Sequence, residues 1–352
     1  MREWTVPPAL ERGDRVAIVA PAAGHASRYP HVYELGLERL RTVFDLEPVE
    51  YPTATKDSEY LASHPEERAA DVMDAFRDPK IRGVVTTIGG SDQLRILDHL
   101  DPTVLRSNPT RFFGISENTN LSLYLWNQGI VSFYGGTVMT TLAMQGSMCE
   151  YTVTHLERAF FDDAIGEIQP ADAFTDEDLD WNDPDTLSQR RAFEDALGWQ
   201  WAGTDTRAEG RVWGGCLEVL EPFLGADRFV PDLVDLDGSI LLLETSEELP
   251  AAEDVRMALL AMGERGILDA VDGVIVGRAK ARSPSVSRER EERRAYRERQ
   301  RETIETVVTE YNPDVPIVFD LDVGHTAPEV PVPIGGRAVL DPESGSVAFP
   351  ES

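Results

Sequence analysis

The 352-residue chain is poor in cysteine and in lysine. Cys149 and Cys216 are the only cysteines, too few and too far apart in sequence for a disulfide framework or a zinc site. Redox chemistry is therefore not the theme. Lys56, Lys80 and Lys280 are the only lysines among 33 basic residues, which face 63 acidic ones, for a net charge of -30. Such a surface repels nucleic-acid phosphates and anionic headgroups, so nucleic acid and membranes are not expected partners. An acid-rich, lysine-poor composition suits a protein kept soluble in concentrated salt, and the chain is read as halophilic. An acidic protein from a GC-rich genome is the plainer alternative. No apolar run is long enough to span a bilayer, and MREWTVPPALERGD has no basic stretch leading into an apolar core, which points to a cytoplasmic chain.

The length suggests two domains or one large domain with insertions. In the first half, short apolar runs (RVAIVAPAAG, GVVTTIGG, FFGIS, VSFYGG) alternate with helical patterns such as that from Tyr33 to Phe44. This alternation predicts an α/β domain with parallel strands, over residues 1–165. Each run ends in a small or turn-forming residue, at the strand edge where ligands sit in such sheets. Residues 166–207 are rich in Asp and Pro without a steady period, and read as a linker and surface loop. Strand-like runs resume over residues 208–352 in SILLLE, GVIVGR and PIVFDLDVGH, and the closing PVPIGGRAVLDPESGSVAF reads as hairpin material. Ser287 to Val308 interleaves Arg and Glu at helical spacing, which supports an exposed helix.

Ser116 lies in FFGISENTNLSLYLW, where a strand runs directly into a helical pattern. A serine on that tight turn projects its hydroxyl beside the amide groups that open the next helix, the geometry of a nucleophile elbow, although G-I-S-E-N lacks the second glycine of G-x-S-x-G. A simple helix-capping serine, with Asn118 as a competing cap, fits the same pattern. Among six histidines, only His325 follows a strand and a glycine and precedes a stretch that cannot be helical. That places an imidazole on a fixed loop, either as a general base or as an ordinary turn histidine. Glu244 ends the run SILLLE, where a carboxylate is costly unless paired, and histidine is a suitable partner. Glu247 and Glu248 read as an exposed helix start. In TTIGGSDQ, Gly89 and Gly90 let backbone N–H groups approach a ligand; a phosphate loop would need a G-K-[ST] or G-x-G-x-x-G that does not follow.

Together these motifs, with RVAIVAPAAG, the stretch Trp213–Leu217, SILLLETSEE and DVGHTAPEVPVPIG, resemble the LD-carboxypeptidase family of serine peptidases over nearly the whole chain. The resemblance implies that Ser116 is the nucleophile, His325 the base and Glu244 the group that orients it, with backbone N–H groups of Gly90 and Glu117 as oxyanion hole. It also implies a Rossmann-like N-terminal domain carrying the serine and a β-rich, barrel-like C-terminal domain with helices carrying the Glu and His. The active site would lie between them, without metal or cofactor, in a homodimer. The family usually has Asp after the nucleophile and often G-G-N where this chain has Glu117 and Cys216. Gly89, Trp181 and Cys216 are the expected substrate contacts. The substrate class is a small peptide or an aminoacyl nucleotide of the microcin C type, the latter favoured by LLLETSEE and by Trp181, Trp199, Trp201 and Trp213. Tryptophans packed as core residues, a murein tetrapeptide substrate, a simple esterase, and a binding protein with a silent triad remain the alternatives.

Overall fold

A computed structural model describes residues 3–352. Five parallel strands form the first sheet: β1 (Arg15–Val19), β2 (Glu47–Glu50), β3 (Ile81–Thr86), β4 (Arg111–Gly114) and β5 (Ser132–Tyr134), ordered β5-β4-β3-β1-β2. β1, β3, β4 and β5 are buried almost end to end, as expected of parallel strands covered on both faces. Helix starts are marked locally: Pro30, Pro65 and Pro102 open helices, and the Asp57 and Asp101 side chains accept from the Tyr60 and Thr103 N–H groups at 2.8 Å.

The segment 166–207 is more structured than a linker. It holds β6 (Gly166–Ile168), a small ribbon of β7 (Ala173–Phe174) with β8 (Glu194–Asp195), and β9 (Gln200–Gly203). β6 and β9 are the end strands of the second sheet, whose centre is four parallel strands: β10 (Ala208–Cys216), β11 (Ser239–Glu244), β12 (Val271–Gly277) and β13 (Pro316–Leu321). After β13 the chain leaves for the first sheet, where β14 (Val332–Ile334) pairs antiparallel with β5. It then returns as the hairpin of β15 (Arg337–Asp341) and β16 (Ser346–Glu351), completing an eight-stranded mixed sheet in the order β6-β16-β15-β10-β11-β12-β13-β9. Residues 322–331 thus cross from one sheet to the other, and His325 rides on that crossing. The arginine-rich stretch forms a long helix, Arg290–Tyr311, exposed on most of its surface.

Two glycines let β10 pack closely on its neighbours. Gly214 and Gly215 of β10 have φ of +127° and +151°; a Cβ on the first would collide with the Leu242 carbonyl, and one on the second with the side chain of Thr119. The Cys216 N–H then donates to Thr119 Oγ1 at 3.1 Å, tying the end of β10 to the helix that follows Ser116.

The insertion is fastened to the His325 crossing at several points. Thr175 and Ala327 exchange both backbone hydrogen bonds, and Lys280 Nζ reaches Asp178 at 2.9 Å and the His325 carbonyl at 3.4 Å. The buried Asp176 carboxylate accepts from Arg282 Nε at 2.7 Å, from the Ala281 N–H at 3.2 Å and from Arg297. Burial alone would raise its pKa, but Arg297 and Arg282 hold it below the usual carboxylate range. Removing one partner of a buried pair leaves the others uncompensated and costs about 3 kcal/mol. Asp176→Ala should therefore unfold at clearly lower urea than wild type, and an unchanged midpoint would show that the insertion is not anchored there.

Candidate active site

Ser116 follows the last residues of β4 and opens a short 3-10 turn, Ser116–Asn118, that continues into the helix Thr119–Asn127. Its φ is +62°, a left-handed conformation that non-glycine residues seldom adopt outside functional turns. Gly89 is what makes room for it. A Cβ there would lie 2.7 Å from Ser116 Cβ and 3.0 Å from its Oγ. The N–H groups of Gly90 and Glu117 make no hydrogen bond to the backbone or side chains among the described residues.

Glu117 turns inward. Its Oε1 accepts from the Gln93 N–H at 2.9 Å and Asn120 Nδ2 at 3.0 Å, while Gln93 Nε2 donates to Asn118 at 2.7 Å and Gln93 Oε1 accepts from the Leu121 N–H at 3.0 Å. The Gly89–Gly90 turn and the serine turn are thereby locked as one unit. Burial pushes the Glu117 carboxyl up to about 7, against the opposing Gln93 bond.

Glu244, at the end of β11, is buried, and both of its oxygens are engaged. Oε2 accepts from His325 Nδ1 at 2.7 Å, and Oε1 accepts from the Tyr134 hydroxyl at 2.6 Å. Tyr134 Oη in turn accepts from the Ser116 N–H at 3.0 Å. A continuous chain of hydrogen bonds therefore runs from the serine turn through Tyr134 and Glu244 to His325. Sequence reasoning missed Tyr134; the signal was its place at the end of VSFY before Gly135–Gly136, the same strand edge that carries Ser116. Burial would raise the Glu244 carboxyl, but the charge of His325 and the hydrogen bonds from His325 and Tyr134 hold it below the ordinary range. Burial would lower His325, yet Glu244 first and Glu247 second raise it to about 9.

The other nitrogen of His325 makes no hydrogen bond to Ser116 Oγ, which has no hydrogen-bond partner among the described residues. Nε2 instead lies 3.3 Å from Glu247 Oε2. Glu247, read from sequence as part of an exposed helix start, is thus a site residue. A further carboxyl, Glu329, is buried against the Thr141 hydroxyl and the Gly136 N–H, with burial raising it to about 7.

Two expected substrate contacts fall differently. Cys216 is buried, and its thiol donates to Glu218 at 3.4 Å; burial, then Glu244 and Glu218, push its pKa well up, so it is a neutral group packed behind Glu244. Trp181 is half-buried, its carbonyl bonded by His31 Nε2 at 2.9 Å and its ring edge-on to Tyr29 at 5.4 Å, with Tyr29 stacked on His25. Burial, then Arg28, lowers the pKa of His25, against the opposing charge of Glu247. Trp199 and Trp213 are core residues, and Trp201 is half-buried on β9, as the plainer reading of the tryptophans has it. No cluster of His, Cys, Asp or Glu able to hold a metal occurs among the described residues.

The LD-carboxypeptidase N-terminal domain matches residues 16–135, and the LD-carboxypeptidase C-terminal domain matches residues 209–340. The chain belongs to the LD-carboxypeptidase family. It is accordingly a peptidase-type hydrolase. A probable murein peptide carboxypeptidase of Bacillus subtilis is 27% identical over 95% of this chain and 91% of its own length. The microcin C7 self-immunity protein MccF of Escherichia coli is 23% identical over 83% of this chain and 80% of its own. Among solved structures, an MccF-like protein from Streptococcus pneumoniae in complex with AMP has a TM-score of 0.86 at 28% identity, covering 96% of this chain and 99% of that one.

The hydrogen-bond chain through Tyr134 yields a direct test. Tyr134→Phe removes the Glu244 Oε1 donor and the Ser116 N–H acceptor together, leaving a buried charge short of one bond, at a cost of about 1–3 kcal/mol. A lowered urea midpoint with a native circular dichroism spectrum is expected. Unchanged stability would mean that Tyr134 does not bear on the pair.

Proposed function

We propose that the protein is a serine hydrolase of amide-type bonds in which Ser116 is the nucleophile, His325 the general base and Glu244 the group that orients and charges the imidazole. The observation that carries this reading is the buried Glu244–His325 pair at 2.7 Å, linked through Tyr134 to a serine held in a left-handed turn. Ser116 Oγ bonds to the substrate carbonyl carbon while its proton passes to His325 Nε2. The N–H groups of Gly90 and Glu117 receive the negative charge on the carbonyl oxygen. His325 then gives the proton to the departing nitrogen as the C–N bond breaks, and water attacks the acyl-serine by the same route in reverse. Glu117 serves through its backbone, so its departure from the family's usual Asp leaves the oxyanion hole intact.

For the substrate we favour an aminoacyl nucleotide over a murein tetrapeptide. The support is twofold: Trp181 is a half-buried ring set edge-on to Tyr29, which stacks on His25, and the S. pneumoniae relative was solved in complex with AMP. An aromatic ring at such a position stacks on a nucleobase for about 1–3 kcal/mol per base. The setting proposed with it is that expected from the sequence, a cytoplasmic, homodimeric, salt-adapted enzyme.

Two outcomes are expected in steady-state assays with aminoacyl adenylate analogues and with L,D-tetrapeptides. The nucleotide substrate should be hydrolysed preferentially, and Trp181→Ala should raise its KM roughly tenfold with little change in kcat. Because the base must be neutral and its pKa is raised to about 9, kcat/KM should climb with pH and level off only near pH 9. Preference for the tetrapeptide with no effect of Trp181→Ala would move the assignment to the cell-wall substrate.

A further inference from the structure

The second contact of His325 has a consequence for how the base is brought into use. Glu247 stands on the loop that leaves β11, three residues beyond Glu244, with its side chain 54% exposed and its Oε2 3.3 Å from His325 Nε2. Nε2 is the atom that must take the proton of Ser116, whose Oγ has no hydrogen-bond partner among the described residues. The start of the same loop is held, since Ser246 donates from both N–H and Oγ to Glu218 at 2.9 and 2.8 Å. Beyond it the Glu248 N–H donates to Ser246 Oγ at 3.2 Å and Leu249 has a φ of +53°. The Glu247 side chain itself has no other partner among the described residues, and half of it faces solvent. It is free to turn away from His325 without breaking any other bond.

We propose that Glu247 is a clamp on the general base: in the resting protein it holds Nε2 of His325 toward itself and away from the hydroxyl of Ser116, and the base engages the serine only when this pair opens. The inference rests on the assignment of Ser116 and His325 given above. Glu244 holds Nδ1 in both states, so opening the clamp leaves the orienting pair untouched. The charges acting on the imidazole are those of Glu244 from β11, Glu247 from the loop after it, Lys280 from the loop after β12, and Glu329 from its own segment; Glu247 also acts on His25. Of the carboxylates closest to the ring, only Glu247 is both exposed and on the nitrogen that must work. Its negative charge also favours the protonated imidazole, which cannot act as a base. An exposed pair of this kind is weakened by salt, because the Debye length falls from about 10 Å at 0.1 M to about 3 Å at 1 M.

The test compares wild type, Glu247→Gln and, as a control on the same loop, Glu248→Gln. Two readings are taken on the full chain: the rate of Ser116 modification by a fluorophosphonate between pH 6 and 10, and the titration midpoint of His325 by NMR. Glu247→Gln should label roughly three-fold faster at pH 7, with both midpoints shifted to lower pH, since one pKa unit is a factor of about ten in the neutral fraction. Wild type should approach the variant's rate in concentrated salt, and Glu248→Gln should behave as wild type. Equal imidazole midpoints in wild type and Glu247→Gln would overturn the clamp. So would equal labelling rates across the pH range. If wild type does not label at all, the serine-hydrolase reading fails, while the NMR midpoints still decide whether Glu247 holds His325.

Discussion

A carboxylate buried as deeply as Glu244 must be fully bonded, and much of the site's arrangement follows from that requirement. One oxygen takes the hydroxyl of Tyr134 and the other the imidazole of His325. These partners come from different parts of the chain: Tyr134 ends a strand of the first sheet, Glu244 ends a strand of the second, and His325 lies on the segment that crosses between the two. Satisfying one charge therefore fixes the relation of two sheets at their common edge. The buried charge has a further effect, in that it favours the protonated form of the ring it orients.

The serine turn is held to the same point from the other side. Its N–H group bonds to Tyr134, its helix bonds to β10 through Thr119, and Glu117 joins it to the Gly89–Gly90 turn through Gln93. Glycines appear where the backbone has to approach closely: Gly89 against the serine side chain, and Gly214 and Gly215 where β10 meets its neighbours. The positive φ of Ser116 is an unfavourable conformation for a serine, and the bonds around the turn hold it in place. Around this rigid centre the exposed carboxylate of Glu247 is the least constrained group, which suits it to a role in turning the site on or off.

Much of this was readable from local pattern. Apolar runs ending in small or polar residues locate the strand edges, and Ser116, Glu244 and His325 each follow such a run, a pattern that taken singly also fits a capping serine, the first residue out of a core and a turn histidine. The parallel first sheet and the β-rich second half were likewise legible in the alternation of runs. Less legible were features that depend on long-range bonding. Tyr134 reads as one more aromatic core residue until its hydroxyl is seen between Ser116 and Glu244. Asp176 lies in a stretch whose composition suggests a loose linker, yet Arg282 and Arg297, more than a hundred residues away, convert it into an anchor. Glu247 has the composition of an exposed turn, and only the placement of the His325 crossing brings it to Nε2. The crossing itself, with β14 returning to the first sheet, was not visible in a hairpin-like closing stretch.

Ser116 is proposed as an activated nucleophile whose reactivity depends on His325. Intact-protein mass spectrometry after incubation with a fluorophosphonate, in high salt, addresses it without knowledge of the natural substrate. A single adduct on wild type, absent from both Ser116→Ala and His325→Ala, is the result this account expects. A well-folded wild type that forms no adduct, or a His325→Ala variant that labels as fast as wild type, would contradict it and favour a binding protein that keeps the fold without the chemistry.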